Sequence, residues 1–340
     1  MLLLIPILIA LFLAVNMGAS GTAPAFAAPH GASLVRREAI PGLFGTFVLL
    51  GALLAGHKVV RTLGSEILPA DAMQMTLVAI VLLSIALSLF AANLLRVPQS
   101  TSQSTVLALV GSAVYFGNLQ TGKLLSWIIP TWVVFPVVAF AITYLFARFF
   151  YRPLKKSEVV DFEQLAGHPF WKYVTIVSSC YVAFSIGSNN VANASGPLTS
   201  LLANQFHVAS GEADYVLLML FTTVLVAPWF GIGSSLMGER VMRTTSREII
   251  HFGPLGASFI SLLTATLLLL ASLTQGIPTS LVQLNTAAII AIGMVKAGLR
   301  QTVTETVVPR LLLIWAVAPL FAFGSAFGLT ALADRLGWLP

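Results

Sequence analysis

GALLAGHKVVRTLGSEIL at residues 51–68 returns as GSSLMGERVMRTTSREII at residues 233–250, with eight of the eighteen positions identical. Shorter pairs follow the same order in both halves: GASG at 18–21 with GSNN at 187–190, PQSTSQ at 98–103 with PTSLVQ at 278–283, and WVVFP at 132–136 with WAVAP at 315–319. The partners are 169, 182, 180 and 183 residues apart, so one insertion of about 13 residues brings them into register. This pattern indicates a tandem duplication.

The composition is typical of a membrane protein. Of 340 residues, 57% are apolar and 9% are charged, and the mean hydropathy is +0.93. A soluble domain of this length does not have such a composition. The net charge of +6 therefore predicts no nucleic-acid partner, because Lys and Arg in a membrane protein first set the topology. The single cysteine, Cys180, excludes an internal disulfide and is expected to pack in a helix.

Apolar runs divide each half of the chain into five predicted membrane segments. They lie near 2–17, 39–56, 72–95, 104–118, 124–149, 173–186, 214–236, 252–274, 282–298 and 308–333. The sequence thus predicts an all-α polytopic membrane protein with about ten transmembrane crossings. Several runs are shorter than the ~20 residues of a straight span, so re-entrant or hairpin helix segments are expected as well.

The predicted organisation is a first transmembrane repeat at 1–150, a charged cytoplasmic loop at 151–171 and a second transmembrane repeat at 172–340. The N-terminal apolar run followed by AFAAP at 25–29 also resembles a secretory signal peptide. No Lys or Arg precedes that run, and Gly18–Gly21 belongs to the duplicated unit. Residues 1–17 are therefore expected to be a retained membrane helix.

Five crossings per repeat is an odd number, which gives the two halves opposite orientations. With this arrangement, fourteen of the eighteen Lys and Arg residues fall on one face and four on the other. The basic face is expected to be cytoplasmic. The sequence predicts inverted repeats in the cell membrane, with both termini extracellular.

The duplicated small-residue stretches 18–35 and 187–205 lack the continuous hydrophobicity of a span and are expected to be irregular and re-entrant. Ser100, Thr101 and Ser102 follow one proline, and Thr279 and Ser280 follow another, at positions where helix N-caps and first turns belong. Helices that begin within the membrane present free N–H groups and a positive dipole end, which suits an anion. The alternative is that these hydroxyls only cap helices.

GSNNVANASGPL at 187–198 resembles the Gly-Ala-Asn-Asp-Val-Ala-Asn-Ala signature of the inorganic phosphate transporter family. PQSTSQ and PTSLVQ are similar to its Pro-x-Ser-Ser/Thr-Thr-His motif, and the blocks at Gly51 and Gly233 resemble its Gly-x-x-Val-x-x-Thr stretches. The resemblance spans nearly the whole chain except its central loop. It implies two inverted repeats, an oxyanion held between hairpin motifs, cation coupling and a homodimer.

The departures from the family pattern concern charge. The Asp of the first motif aligns with Gly21 and that of the second with Asn190, while Gln103 and Gln283 replace the histidines. Phosphate near neutral pH carries one or two protons that need an acceptor, whereas sulfate carries none. An unmatched phosphate O–H costs on the order of 1–3 kcal/mol, and sites built around such a bond discriminate strongly. The combination resembles the sulfate permease branch of the family.

The predicted function is import of sulfate by alternating access, with H⁺ as the expected coupling cation, the lipid bilayer as surroundings, and no cofactor or metal. Phosphate transport coupled to protons or sodium is one alternative, and an anion channel is another. The histidines show no metal spacing and no catalytic set, so an enzyme is not expected. The predicted substrate-binding residues are Ser20, Gly21, Ser100, Thr101, Ser102, Gln103, Asn189, Asn190, Asn193, Thr279, Ser280 and Gln283.

Overall fold

A computed structural model describes residues 3–31, 34–95, 99–153, 169–209, 212–239, 242, 253–298 and 307–339, and its regular elements within these ranges are helical. The helices are α1 (Leu4–Gly31), α2 (Ile40–Ala55), α3 (His57–Ser65), α4 (Met75–Leu94), α5 (Thr101–Phe116), α6 (Ile129–Phe146), α7 (Pro169–Asn190), α8 (Ala192–Phe206), α9 (Ala213–Val226), α10 (Pro228–Gly233), α11 (Gly253–Gln275), α12 (Leu281–Ala297) and α13 (Val307–Arg335). Short 3-10 turns cover Arg37–Ala39 and Ala70–Ala72. A single α-helical turn at Thr121–Lys123 and a π-helical turn at Leu124–Ile128 precede α6, and a π-helical turn at Ala147–Tyr151 follows it. A π-helical turn at Ser234–Gly238 follows α10.

Within the described residues, seven helical stretches are long and apolar enough to cross a membrane. They are Leu4–Gly31, Arg37–Ala55, Met75–Leu94, Thr121–Tyr151, Ala213–Gly238, Leu255–Gln275 and Trp315–Arg335. On α6, Val133 and Val137 are exposed by more than half, as expected for side chains that face lipid. The chain is thus an all-helical, multi-pass membrane protein. The ten apolar runs of the sequence all coincide with helices, while the number of crossings stays a prediction.

The prediction of an irregular stretch after residue 17 is wrong for residues 18–31. There, α1 continues without interruption to Gly31, through Pro24 and Pro29. In the second half, α7 reaches Asn190 and α8 begins at Ala192, so only Val191 interrupts the helical run. The small residues serve packing instead, because they allow neighbouring backbones to approach closely.

Four glycines mark these close approaches. A methyl group at Gly51 would overlap the carbonyl oxygen of Phe184, and one at Gly187 would overlap that of Val48, so α2 and α7 touch backbone to backbone. The same relation joins α1 to α10, with Gly18 against Phe230 and Gly233 against Val15. Each contact between α2 and α7 has an equivalent between α10 and α1. Equivalent residues are 169 positions apart between α1 and α7 and 182 positions apart between α2 and α10, as in the duplication.

The remaining packing repeats in the same way. α13 packs along α5, and α6 packs along α12. α1 contacts α4 as α7 contacts α11. Helices from one half therefore cover the short helix of the other half. The buried core runs through both, and it includes Cys180 on α7, as predicted.

The predicted central loop falls largely outside the described residues. Its edges are helical, since π-helical Ala147–Tyr151 extends α6 and α7 begins at Pro169. Arg240 and most of the second Gly233 block also lie outside the described residues.

The helix crossing at Gly51 can be tested with alanine. Gly51→Ala places a methyl group on the backbone of α7, so the helices must move apart, and we expect a loss of stability of roughly 1–3 kcal/mol or more. Gly42→Ala on the same helix meets no atom within 4 Å and should leave stability unchanged or raise it, because alanine favours helix. Thermal unfolding of the purified proteins in detergent measures both. Equal unfolding temperatures would contradict the close crossing.

Candidate functional site

Two short helices begin at equivalent positions of the duplication, each after a serine N-cap. Ser100 is the N-cap of α5, and its hydroxyl accepts a hydrogen bond from the N–H of Gln103 at 3.3 Å. Ser280 caps α12 in the same way, with the N–H of Gln283 at 3.2 Å. The N-caps predicted from the sequence are confirmed. Thr101 occupies the first helical position of α5 and is buried.

The two helix starts meet through a pair of amides. Gln103 donates from Nε2 to Oε1 of Gln283 at 3.0 Å, and Gln283 donates from Nε2 to Oε1 of Gln103 at 2.9 Å. These reciprocal bonds join residues 180 positions apart, so they connect matching points of the two halves. They also bring two positive helix dipole ends close together.

Asn189 joins three of the repeated motifs. Its Nδ2 donates to Oγ of Ser272 and to the carbonyl of Ile277, both at 2.9 Å. Its Oδ1 accepts from the N–H of Thr279 at 3.0 Å and from Oγ of Ser102 at 3.3 Å. Asn189 is fully buried, and these four bonds occupy both ends of its amide. Its side chain therefore holds the segment before α12 against α5.

Asn190 and Asn193 lie on either side of the break between α7 and α8. The Oδ1 atoms of both side chains are buried and have no hydrogen-bond partner among the residues that the structure describes. Nδ2 of Asn193 lies 3.9 Å from the sulfur of Met17 on α1. These amide oxygens are the buried polar atoms at the site that the protein itself leaves unused.

The first-repeat motif is arranged differently. Ser20 donates its hydroxyl to the carbonyls of Asn16 and Met17 on its own helix, both at 3.2 Å. At Gly21 an added methyl group would lie 3.2 Å from the ring of Phe44. Of the predicted site residues, Ser100, Thr101, Ser102, Gln103, Asn189, Thr279, Ser280 and Gln283 come together around the helix starts. Ser20 and Gly21 share no hydrogen bond with them in the described chain.

Some residues of the site were not predicted. Ser272 supports Asn189 from α11, Met17 approaches Asn193, and Trp132 donates to the carbonyl of Pro278. Lys58 donates from Nζ to the carbonyls that end α11. Trp132 opens a repeated motif and Lys58 lies in the Gly51 block, so a signal was present for these two. Nothing in the sequence singles out Ser272 or Met17.

Among the described residues, the hydrogen bonds that join Ser102, Asn189 and Thr279 and those between Gln103 and Gln283 involve no charged side chain. Among the described residues, Glu66 lies at the end of α3, where it accepts from Lys123 at 2.6 Å and from Thr62 at 3.0 Å. Asp334 at the end of α13 accepts from Tyr115. Around the starts of α5 and α12, the described residues therefore offer hydroxyls, neutral amides and helix N-termini, which are groups that suit an anion.

Comparisons with known proteins identify relatives of the chain. A model of the phosphate transporter family matches residues 17–326. "Sulfate permease CysP" from Bacillus subtilis is 34% identical over 330 residues, which cover 96% of this chain and 86% of that protein. "Inorganic phosphate transporter 2-1, chloroplastic" from Arabidopsis thaliana is 33% identical over 138 residues, covering 40% of this chain and 23% of that protein.

A solved structure has the same fold. It is titled "The sodium-dependent phosphate transporter" and superposes with a TM-score of 0.84, covering 98% of this chain and 99% of that one at 20% identity. These relatives are transporters or permeases, and the chain is not an enzyme.

The paired glutamines generate a prediction of coupled stability. Gln103→Leu or Gln283→Leu alone removes both bonds and leaves the remaining amide unsatisfied, so each should cost about 0.5–2 kcal/mol of unfolding free energy. The double variant replaces both partners with apolar side chains and should cost less than the sum of the single variants. A double-mutant cycle from denaturant unfolding in detergent measures the coupling. Strictly additive costs would show that the amides do not depend on each other.

Proposed function

This chain belongs to the phosphate transporter family, and from that premise we propose that it is a secondary active transporter that imports sulfate. The anion binds between the starts of α5 and α12 and the break at Asn190, where hydroxyls, amides and helix N–H groups surround it. Ser102, Asn189 and Thr279 are already joined there by hydrogen bonds. The "Sulfate permease CysP" relative covers most of the chain and supports this choice of anion.

The observation that carries the choice of sulfate is the neutral amide of Asn190. In the family motif that this chain resembles, the equivalent position holds a carboxylate. A carboxylate there would accept a hydrogen bond from the O–H of hydrogen phosphate and would repel an unprotonated dianion. Asn190 is half-buried at the end of α7, and its Oδ1 has no protein partner. An amide can present its NH₂ group to a sulfate oxygen without adding charge to a pocket of low dielectric.

A specific observation favours inorganic phosphate as the second candidate. The unused Oδ1 atoms of Asn190 and Asn193 are acceptors, and an acceptor suits a phosphate O–H. An amide oxygen is a weaker acceptor than a carboxylate, because hydrogen bonds to ionised acceptors are stronger. The balance therefore favours sulfate, and transport assays with both anions decide between them.

We propose that transport occurs by alternating access between two inverted repeats, 1–150 and 172–340, joined by a cytoplasmic loop at 151–171. Support comes from the exchanged helix packing and from the glycine crossings that recur at the offsets of the duplication. In such a protein the two halves exchange conformations, which exposes a site between them first to one side and then to the other. Both termini are proposed to be extracellular, and the protein is proposed to be a homodimer.

Sulfate import into a negative-inside cell requires coupling. Each charge costs about 2.3 kcal/mol per 100 mV, so a dianion needs cations to accompany it. We propose protons, because the described site contains no carboxylate hydrogen-bonded to its motifs that would hold sodium. Carbonyl and amide oxygens such as those of Asn190 and Asn193 are the remaining means of binding sodium.

Uptake into proteoliposomes tests the function. We expect labelled sulfate to accumulate under an inward proton gradient, with little change when sodium is replaced by potassium or choline at fixed pH and potential. Labelled phosphate should be taken up much less. A strict sodium requirement would overturn the proton proposal, and preferred phosphate uptake would select the second candidate.

Asn190→Asp tests the choice of anion. The new carboxylate repels sulfate oxygens and supplies the acceptor that a phosphate O–H needs. We expect sulfate uptake to fall at least about tenfold, since one unscreened like-charge contact costs more than the 1.4 kcal/mol that corresponds to a factor of ten. The ratio of phosphate to sulfate uptake should rise.

Asn190→Ala is the matched control, because it removes the amide without adding charge. It should weaken sulfate uptake without raising the phosphate-to-sulfate ratio. If Asn190→Asp transports sulfate as well as the parent does, position 190 does not face the anion.

A further inference from the structure

The segment between α11 and α12 contributes the start of α12 to the site, although it has no regular structure itself. Ile277, Pro278, Thr279 and Ser280 are buried, so their backbone groups need partners within the protein. Asn189 satisfies the carbonyl of Ile277 and the N–H of Thr279. The carbonyl of Pro278 precedes the N-cap Ser280 and therefore has no place in the hydrogen-bond ladder of α12.

Trp132 supplies the missing donor. Its indole Nε1–H donates to the carbonyl of Pro278 at 2.8 Å, in a partly buried contact. Trp132 lies on α6, which packs along α12. Pro278 is therefore held from α6, while Ile277 and Thr279 on either side of it are held by Asn189 from α7. The segment is fixed from two helices that belong to different halves of the chain.

We propose that Trp132 is a positioning residue for the anion site, and this inference rests on the proposed function. Its N–H fixes Pro278, and Pro278 fixes the direction in which the first turn of α12 presents its N–H groups and the hydroxyl of Ser280. Without this bond, the segment pivots about Asn189 and the helix start turns away from the anion. The indole does not contact the anion itself.

The repeat provides an internal comparison. Trp315 opens the second W-x-V-x-P motif, 183 residues after Trp132. Its Nε1 is buried and has no hydrogen-bond partner. In the part of the chain that the structure describes, the same residue type at the matching position of the duplication thus makes no bond like that of Trp132. Loss of the N–H should matter at residue 132 and not at residue 315.

The test compares Trp132→Phe with Trp315→Phe in reconstituted full-length protein. Both variants keep an aromatic ring and lose the N–H. For Trp132→Phe we expect the KM for sulfate to rise about tenfold, with maximal uptake per folded transporter changed less than about twofold. Trp315→Phe should retain the parent KM. A merely structural role of Trp132 would lower the amount of folded protein without a selective change in KM.

A second measurement does not depend on transport. Hydrogen exchange of the backbone in 276–283 should be faster in Trp132→Phe than in the parent and unchanged in Trp315→Phe. Trp132→His places a ring N–H the same number of bonds from Cα as the indole N–H. It should therefore restore slow hydrogen exchange in 276–283 and the low KM for sulfate. If Trp132→Phe does not fold, Trp132→His provides the test of the positioning role.

The outcomes separate the two proposals. If the parent transports neither sulfate nor phosphate while exchange responds as expected, the proposed function fails and the role of Trp132 in holding Pro278 stands. If the parent transports sulfate and Trp132→Phe has the parent KM and exchange, the positioning role is overturned. Equal effects of Trp132→Phe and Trp315→Phe, or a Trp132→His variant as impaired as Trp132→Phe, would overturn it too.

Discussion

Backbone polar groups that are buried where a helix ends must find hydrogen-bond partners inside the protein, and this constraint organises the surroundings of the candidate site. The end of α11 is the clearest case. Lys58 reaches from α3 to the carbonyls of Leu273 and Thr274, at 2.7 and 3.1 Å, and the backbone of Lys58 fills the space that a side chain at Gly276 would need. Gly276 itself has a φ of 62°, which favours glycine. Beyond it, Asn189 pairs with the backbone on both sides of Pro278. A short irregular segment is thus tolerated because residues distant in sequence complete its hydrogen bonds, and these same residues determine where α12 begins.

The second constraint is steric. At the crossings of α1 with α10 and of α2 with α7, no side chain separates the backbones, since the glycines contact carbonyl groups directly. A helix pair held at this distance has little freedom to slide, because each backbone fits into the gap left by the missing side chain. The crossings therefore act as fixed joints between the halves. The starts of α5 and α12, by contrast, meet through side chains, the amides of Gln103 and Gln283.

Much of the fold could be predicted from the sequence, because hydrophobicity and helix capping are local properties. The apolar runs all coincide with helices, and the Ser100 and Ser280 caps are correct. The irregular backbone expected at Gly18–Gly21 is wrong for a physical reason: small residues are compatible both with a broken helix and with a tightly packed one, and only the neighbouring helix decides. The site is harder to predict still. Asn189 matches the family motif, yet sequence cannot show that its amide is already occupied by Ser272, Ile277, Thr279 and Ser102. Trp132 and Lys58 donate to backbone carbonyl groups. Every residue has such a group, so the sequence does not identify their partners.

The two halves have matching helix packing, but equivalent side chains make different hydrogen bonds. Asn189 of the second half makes four hydrogen bonds that connect motifs, whereas its counterpart Ser20 is bonded only to its own helix. Trp132 donates to the carbonyl of Pro278, and its counterpart Trp315 has no acceptor among the described residues. Two halves with identical environments would present the same groups to an anion between them, and the anion would be held equally by both. Here Asn189 ties the motif of the second half to α11, to α5 and to the segment before α12, whereas Ser20 bonds only within α1 among the described residues. The proposed anion is therefore oriented mainly by groups of α5, α7 and α12, while the small residues of α1 pack against the backbone of α10 and the ring of Phe44.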